Sequence, residues 1–291
     1  MIIDLHIHSK TCSDGNLSVE KIVKEAKIRN IELMSITDHD SIGCQRKAKE
    51  LARINDITYI NGLELNINFL HSKLKNSKPI SLDLLGYQFN IQNKELNKKL
   101  EEISEYRKKR AEKILENLNT EFEREGIEIL TKKDLVAIQN SVDGVLGRPH
   151  IADYLIKKSI VKNRQEAFAK YLIKCNVQKY PLSLEEASSI LRDAGGIVIL
   201  AHPNDPYGTS LVKLTKSLSE QTNIIKELML KFIDGIECWH FRNDAKTTDH
   251  YYAFSLKHKL IMTGGSDCHQ KPIRMGSVKV PSFVAQQFNI K

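Results

Sequence analysis

The sequence lacks the features of membrane-spanning and disulfide-rich secreted proteins. No apolar run approaches the ~20 residues that a membrane-spanning helix needs. The N-terminus has no basic segment followed by a cleavable apolar stretch, so we expect no export signal and a cytoplasmic location. The five cysteines are odd in number, widely spaced and without a Cys-x-x-Cys pair. This spacing excludes a zinc ribbon and a disulfide framework.

The sequence also lacks the glycine-rich motifs of nucleotide-cofactor enzymes. No Gly-x-Gly-x-x-Gly follows a predicted strand, and there is no phosphate-binding P-loop. The net charge of +8 suits an anionic substrate. Much of that charge lies in runs such as Arg107-Lys-Lys-Arg110 on a predicted helix, where a solvated face is the expected structure. Charge alone is therefore weak evidence for a nucleic-acid partner.

The pattern of apolar residues predicts an α/β fold interrupted by an all-helical block. At 291 residues, the chain is long enough for one large domain with an insertion. The block at 93–180 is predicted to be an inserted helical subdomain that caps the substrate, with 1–92 and 181–291 forming the main domain. Strands are predicted at 1–8, 31–37, 57–65, 80–87, 197–201, 235–239 and 260–264, with an edge strand at 276–280.

Histidines and carboxylates follow these predicted strands. His6 and His8 leave the same face of the first strand, because side chains alternate along a strand. A lone buried histidine is more often structural. Here, however, further histidines and carboxylates occur near other strand ends, which favours a metal site. Residues from several strands converge at the C-terminal mouth of a closed barrel, whereas an open sheet spreads them along an edge. We therefore expect a barrel. The residues at these ends are His8, His39, Glu64, His202, Asp267 and His269.

An ordered set of short motifs resembles the PHP (polymerase and histidinol phosphatase) superfamily. These motifs are His6-x-His8, Ser13-Asp-Gly15, Thr37-Asp-His-Asp40, Gly62-Leu-Glu64, Ala201-His-Pro203 and Gly265-Ser-Asp-Cys-His269. The resemblance implies a distorted (β/α)7 barrel. Within the insertion, Gly147-Arg-Pro-His-Ile-Ala152 resembles one branch of the superfamily. That branch contains nucleoside 3′,5′-bisphosphate phosphatases and 5′→3′ exoribonucleases that degrade short RNA.

The resemblance implies two or three divalent metal ions, with manganese, zinc or iron suited to imidazole and carboxylate ligands. Asp14, His39 and His269 would hold the second metal, and Glu64 would bridge to a third completed by Asp83 and His202. Paired metals can activate a water as a bridging hydroxide nucleophile. The first metal would be held by His6, His8, Glu64 and Asp267.

Asp83 departs from the family pattern, which often has histidine at this place. A carboxylate can still ligate a metal, and it would favour manganese or iron. It could also leave the third metal weak or absent, and a solvated strand-end carboxylate is the alternative interpretation. His71, nearby in a predicted loop, is a less favoured substitute ligand.

Arg148 and His150 are implied by the resemblance to reach the substrate phosphate from the insertion. A guanidinium binds phosphate oxygens in a bidentate fork, and a nearby histidine can donate to them, so both are expected to stabilise the transition state. The alternative is an ordinary helix start, because Pro149 suits a first helical turn. His240, after the sixth predicted strand, could support the site or contact the substrate.

The sequence thus predicts a metal-dependent phosphoesterase acting on a nucleotide phosphate, either a nucleoside 3′,5′-bisphosphate or the 5′ end of a short RNA. A histidinol-phosphate-type phosphatase or another PHP hydrolase, acting for example on an amide bond, shares the metal site but would differ in the insertion. A non-catalytic PHP module that scaffolds a polymerase would be expected to have eroded ligands, and nearly the whole set is present. No membrane or long duplex nucleic acid is expected as a partner, and the oligomeric state is left open.

Overall fold

The strands form two sheets around a common interior. A computed structural model describes residues 1–70, 78–142 and 144–289. The first sheet is parallel, with neighbours in the order β1-β2-β3, and the second has the order β4-β5-β6-β7-β8. The strands of the described ranges are β1 (Ile2–Asp4), β2 (Ile31–Met34), β3 (Thr58–Tyr59), β4 (Gly62–Phe69), β5 (Ile80–Tyr87), β6 (Ile197–Leu200), β7 (Gly235–His240) and β8 (Ile261–Gly265).

The two sheets are joined by backbone hydrogen bonds on both sides. Beside β1, the Leu5 N–H donates to Gly264 O over 3.1 Å, and Ile7 forms a parallel bridge with Cys268. Beyond β2, His39 bridges to Glu64, whose N–H donates to Asp38 O over 3.2 Å. The pairs β4–β5 and β5–β6 are antiparallel, and the others are parallel. The α/β class is therefore confirmed with mixed sheets, while a regular (β/α)7 barrel is not.

Several of the predicted strands differ in the structure. Those predicted at 1–8 and 31–37 end earlier, at Asp4 and Met34. The predicted strand at 57–65 is interrupted at 60–61 and becomes β3 and β4, which belong to different sheets. The segment 276–280 is not a strand but a turn and loop. Gly276 has a positive φ of 70°, a left-handed conformation that does not continue an extended strand. His71, the substitute ligand considered for Asp83, lies outside the described residues.

The helical block is present where the sequence predicts it. Its longest helix, α3, begins after Asn93, whose side chain accepts from the Leu96 N–H, and ends at Gly126 with a left-handed φ of 68°. None of the helices in the described ranges is long and apolar enough to cross a membrane. The helices are α1 (Val19–Ile28), α2 (Gln45–Ile54), α3 (Lys94–Glu125), α4 (Lys132–Asn140), α5 (Arg148–Lys157), α6 (Arg164–Ala167), α7 (Leu184–Asp193), α8 (Leu218–Ile224), α9 (Ala245–His258) and α10 (Phe283–Gln286).

Helix α3 packs against two different apolar cores. Leu96, Leu100 and Ile103 near its start join the main-domain core with residues of β4–β8. Its later apolar residues, Leu118 and Phe122 among them, join a separate cluster formed by residues 111–175. This separate cluster covers only part of the block, so the division of the chain at 93–180 stays a prediction. Helix α3 therefore spans both cores, with its first residues packed on the main domain and its later residues in the separate cluster.

Candidate metal centre

The nine predicted ligands come together, although they are not all at strand ends. His6, His202 and Asp267 lie two residues beyond β1, β6 and β8. Glu64 and Asp83 instead lie within β4 and β5, so the prediction that Glu64 lies at a strand C-terminus is wrong. These two strands are antiparallel. Asp83 pairs with Asn66, two positions along β4 from Glu64, so Asp83 and Glu64 are diagonal neighbours on one face of the hairpin.

Glu64 is the centre of the cluster. Its Oε2 atom has no hydrogen-bond partner among the described residues and is shielded from solvent. That atom nevertheless lies 3.4 Å from His6 Nε2, 3.1 Å from His8 Nε2 and 3.1 Å from His39 Nδ1. Buried polar atoms normally have partners, so several imidazole nitrogens aimed at one orphaned oxygen indicate that these atoms share a ligand. A divalent cation fits this donor set.

Asp267 and His269 extend the cluster on one side. Asp267 Oδ1 lies 3.4 Å from His6 Nε2 and 3.3 Å from His8 Nε2. His269 Nε2 is 3.4 Å from Asp14 Oδ1, and its ring stacks on that of His8 with centroids 3.9 Å apart. The donor atoms of His8, Asp14, His39 and His269 all lie within 4.8 Å of one another. The structure thus brings together every residue predicted for the second metal.

His202 and Asp83 extend the cluster on the other side. His202 Nε2 is 3.0 Å from Glu64 Oε1 and 3.8 Å from Asp83 Oδ2. Asp83 is only 4 % exposed, so the solvated strand-end alternative is wrong. Its two oxygens already accept from Asn66 Nδ2, over 2.6 Å, and from the Thr209 hydroxyl. A third metal would therefore share Asp83 with these two donors.

The buried charges are balanced within the cluster. Burial favours the protonated form of Glu64, but His39 and His6 outweigh it and hold the pKa of the carboxyl well below its usual range. Burial lowers the pKa of His39 to about 4, which keeps that imidazole neutral at pH 7 and free to ligate. Asp83 differs, because burial and the nearby charge of Glu64 raise its pKa to about 6.

Two supporting residues were not predicted as ligands. Glu237, fully buried on β7, accepts from His6 Nδ1 over 2.9 Å with one oxygen and from the His202 N–H over 2.9 Å with the other. A carboxylate that holds the second nitrogen of a ligating histidine fixes its tautomer and orientation. His240 Nε2 lies 3.4 Å from Asp267 Oδ2, which supports the weaker expectation of a supporting role. The sequence signal that could have identified Glu237 is a carboxylate within an apolar run, Gly235-Ile-Glu-Cys-Trp239.

Arg148 and His150 lie at the start of α5, beside the centre. The Arg148 side chain donates to Leu172 O over 3.1 Å and lies over the Phe168 ring, and it lines a cleft of about 850 Å³ together with Glu64, Asp83 and Asp267. His150 is placed differently. Its Nδ1 accepts from the Gly147 N–H over 3.0 Å, so its Nε2–H donates to Ser13 O over 3.2 Å. Both ring nitrogens therefore have backbone partners.

The interpretation of Arg107-Lys-Lys-Arg110 as a solvated face is wrong for its two arginines. Lys108 and Lys109 are exposed, but Arg110 is 7 % exposed and donates to Val177 O over 2.7 Å. Arg107 pairs with the buried Asp40. Because residues three apart share a helix face, the two arginines point together towards the centre while the lysines point away.

Comparison with known proteins agrees with this site. The PHP domain family matches residues 4–181, more than half of the chain, including the helical block. The chain belongs to the PHP domain family. The matched range contains six of the nine clustered residues, whereas His202, Asp267 and His269 lie beyond it. The known reactions of PHP relatives therefore indicate which activities to consider for this chain.

The curated relatives are phosphoester-cleaving enzymes. A 3′,5′-nucleoside bisphosphate phosphatase of Chromobacterium violaceum is 27 % identical over 274 residues, covering 92 % of this chain and 87 % of the relative. The 5′-3′ exoribonuclease Rnm of Escherichia coli is 25 % identical, covering 93 % and 86 %. A solved structure assigned as a metal-dependent phosphoesterase, from Bifidobacterium adolescentis, is 24 % identical with a TM-score of 0.80, covering 98 % and 94 %. The PHP chain is a metal-dependent phosphoester hydrolase, as predicted.

Proposed function

We propose that this enzyme hydrolyses a phosphate ester of a nucleotide, such as a nucleoside 3′,5′-bisphosphate or the 5′ end of a short oligoribonucleotide. The observation that carries the proposal is the orphaned Glu64 Oε2 among three imidazole nitrogens, at the base of a cleft that Arg148 also lines. The relatives named above act on nucleotides, which supports the choice of substrate.

We assign the clustered residues as ligands of two metals, with a third site that is optional. His6, His8, Glu64 and Asp267 would hold one ion, and Asp14, His39 and His269 the other. Glu64, Asp83 and His202 would complete the third. Bound divalent ions of manganese, zinc or iron would supply Lewis acidity and lower the pKa of a coordinated water. Glu237 fixes the orientation of His6, so that the imidazole presents Nε2 to the interior.

Arg148 is proposed to bind the substrate phosphate. Its guanidinium has no carboxylate partner among the described residues, and its remaining N–H groups can donate to phosphate oxygens as charge builds up on them. His150 is proposed to support this contact rather than to donate to the phosphate itself, because both of its nitrogens are used. By joining Gly147 to Ser13, it holds the start of α5 beside Asp14.

The alternatives make different demands on these residues. A histidinol-phosphate-type phosphatase would use the same centre but would not need a nucleotide-sized cleft. A relative from Eggerthella lenta, 23 % identical, is a phosphoribosyl 1,2-cyclic phosphate 1,2-diphosphodiesterase, so a phosphodiester is a second substrate class to test. A polymerase-scaffolding module needs no clustered ligands, and this cluster argues against it.

The test combines a substrate panel with His39→Ala. We expect hydrolysis of nucleotide phosphates by the metal-loaded enzyme. Activity and metal should be lost together in the variant, because His39 Nδ1 is one of three nitrogens around Glu64 Oε2. His258→Ala, far along α9, is the matched control. Full turnover by metal-stripped His39→Ala protein would overturn the proposal, and hydrolysis confined to histidinol phosphate or amides would favour an alternative.

A further inference from the structure

Two buried cysteines on different loops lie close together outside the metal centre. Cys12 lies in the loop between His8 and α1, and Cys44 directly precedes α2. One donor atom from each of Cys12, Asp38 and Cys44 lies within 4.8 Å of the other two, so the two sulfur atoms are no farther apart than that. Both cysteines are buried, at 6 % and 2 % exposure. We name Cys12 and Cys44 the buried dithiol.

The chemistry open to this cluster is that of its sulfur atoms. Both oxygens of Asp38 are already in use: Oδ1 accepts from the Ser9 N–H and Oδ2 from the Ser9 hydroxyl, each over 2.6 Å. Oδ2 also accepts from Cys44 Sγ over 3.1 Å. Two sulfur atoms alone are too few for a structural zinc site, which takes four protein ligands. Two adjacent thiols can instead be joined by oxidation.

The two sulfur atoms need only a short movement to bond. A Cβ atom added at Gly43 would lie 3.2 Å from Cys12 Sγ, so the Cys12 side chain packs directly against the segment that carries Cys44. To reach the S–S bond length of about 2.05 Å, the sulfurs must approach each other by less than about 3 Å. Rotation about the Cα–Cβ bonds supplies part of this movement, and a shift of the loop that carries Cys12 supplies the rest.

The loop that carries Cys12 also positions two ligands of the proposed second metal. The hydroxyl of the next residue, Ser13, accepts from the His39 N–H over 3.1 Å and donates to Asp14 Oδ1 over 3.1 Å. The Cys12 carbonyl accepts from the Val145 N–H over 3.2 Å, which attaches the helical block to the same loop. Drawing this loop towards α2 would therefore disturb the contacts that hold both ligands in place.

We propose that the buried dithiol is a site of oxidation by peroxide, and that the resulting disulfide weakens binding of the second metal. The Cys12 sulfur attacks hydrogen peroxide and breaks its O–O bond, which gives a sulfenic acid and one water. The Cys44 sulfur then displaces the sulfenic hydroxyl, which leaves with the Cys44 proton as a second water. One S–S bond forms, the two thiols lose two electrons in total, and the peroxide is reduced to two waters.

The order of the two steps follows from the surroundings of each thiol. Cys12 is the more exposed of the two, so it meets the peroxide first. A hydrogen bond with Cys12 and burial raise the pKa of the Cys44 thiol well above its usual range, which suits Cys44 to the second step. Formation of the disulfide does not depend on the proposed reaction. Only its consequence rests on the proposed second metal.

The test treats the folded holoenzyme with hydrogen peroxide and measures the bond and the metal affinity separately. Mass spectrometry of peptides, digested without reduction, identifies the disulfide, and competition with a chelating indicator measures metal affinity. Cys44→Ser removes one sulfur but keeps a donor to Asp38, and Cys175→Ser, in the core of the helical block, is the matched control. In wild type we expect a Cys12–Cys44 disulfide and an about 10- to 100-fold loss of metal affinity, the range found for residues that orient ligands.

The expected loss depends on the buried dithiol and is reversible. A phosphine reductant should restore the metal affinity of oxidised wild type, Cys44→Ser should keep its affinity after peroxide treatment, and Cys175→Ser should behave as wild type. Thermal unfolding of the reduced proteins checks their folding, and Cys44→Ala replaces Cys44→Ser if the serine variant does not fold.

Three results would overturn the proposal. They are an equal loss of metal affinity in the Cys44 variant, a Cys12–Cys44 disulfide that leaves the metal affinity unchanged, and the absence of this disulfide from peroxide-treated wild type. Neither measurement uses a substrate, so a failure of the nucleotide proposal would leave this test intact.

Discussion

Replacing Glu237 with glutamine tests whether the buried carboxylate on β7 supports the metal centre. Glu237 accepts from His6 Nδ1 and from the His202 N–H, each over 2.9 Å, so both of its oxygens are in use. Glutamine has nearly the same shape but only one acceptor oxygen. Its amide nitrogen would face an N–H donor, so one of the two charge-assisted hydrogen bonds is lost whichever way the amide is turned.

The lost interaction sets the expected magnitude. A hydrogen bond to a charged group contributes about 1.5–3 kcal/mol, which corresponds to a change in metal affinity of about 10- to 100-fold, the range found for residues that orient ligands. Competition with a chelating indicator measures this affinity. Because Glu237 touches ligands and not substrate, kcat/KM at saturating metal should recover to within about tenfold of wild type.

A matched substitution controls for the loss of a negative charge. Glu227→Gln changes an exposed carboxylate. The metal affinity should stay unchanged within twofold, because an exposed ion pair typically contributes only about 0–1 kcal/mol. Thermal unfolding of both proteins without metal shows whether the fold survives. Wild-type metal affinity in folded Glu237→Gln protein would refute the supporting role of this residue.

A further prediction concerns the helical block. Phe122→Ala should lower the free energy of unfolding by about 3–5 kcal/mol, because the ring is fully buried and packs edge-on against Tyr171, with the ring centroids 5.2 Å apart. Urea unfolding measures this change, and Ile129→Ala, at an exposed position, is the control. Equally small effects of the two substitutions would contradict the separate core.

The sequence predicts the parts of the site that short motifs carry. His6-x-His8, Thr37-Asp-His-Asp40 and Ser266-Asp-Cys-His269 each place donors at the end of an apolar strand, and the structure brings their side chains together. The predicted strand at 80–87 is present with the same bounds, because its apolar residues are bounded by polar segments. The local sequence pattern was sufficient to predict a ligand wherever the ligand lies close to its strand in the sequence.

Strand direction and long-range pairing were not predictable in the same way. The antiparallel hairpin of β4 and β5 places Glu64 and Asp83 inside strands, and the periodicity of an apolar strand does not reveal its direction. Arg107 and Arg110 looked like solvated residues, because burial of a helix face depends on what packs against it. Asp40 and Val177, distant in sequence, provide those partners. Glu237 was overlooked for the same reason, since its partner His6 is 231 residues away.

The most direct test of the central claim is the metal content of the protein. Elemental analysis of wild-type protein purified without added metal should give two or three equivalents of manganese, zinc or iron per chain, and His39→Ala should lose at least one equivalent together with phosphoesterase activity. His258→Ala should match wild type. Less than one equivalent in active wild-type protein, or an unchanged metal content in His39→Ala, would contradict the assignment of this cluster as the metal centre.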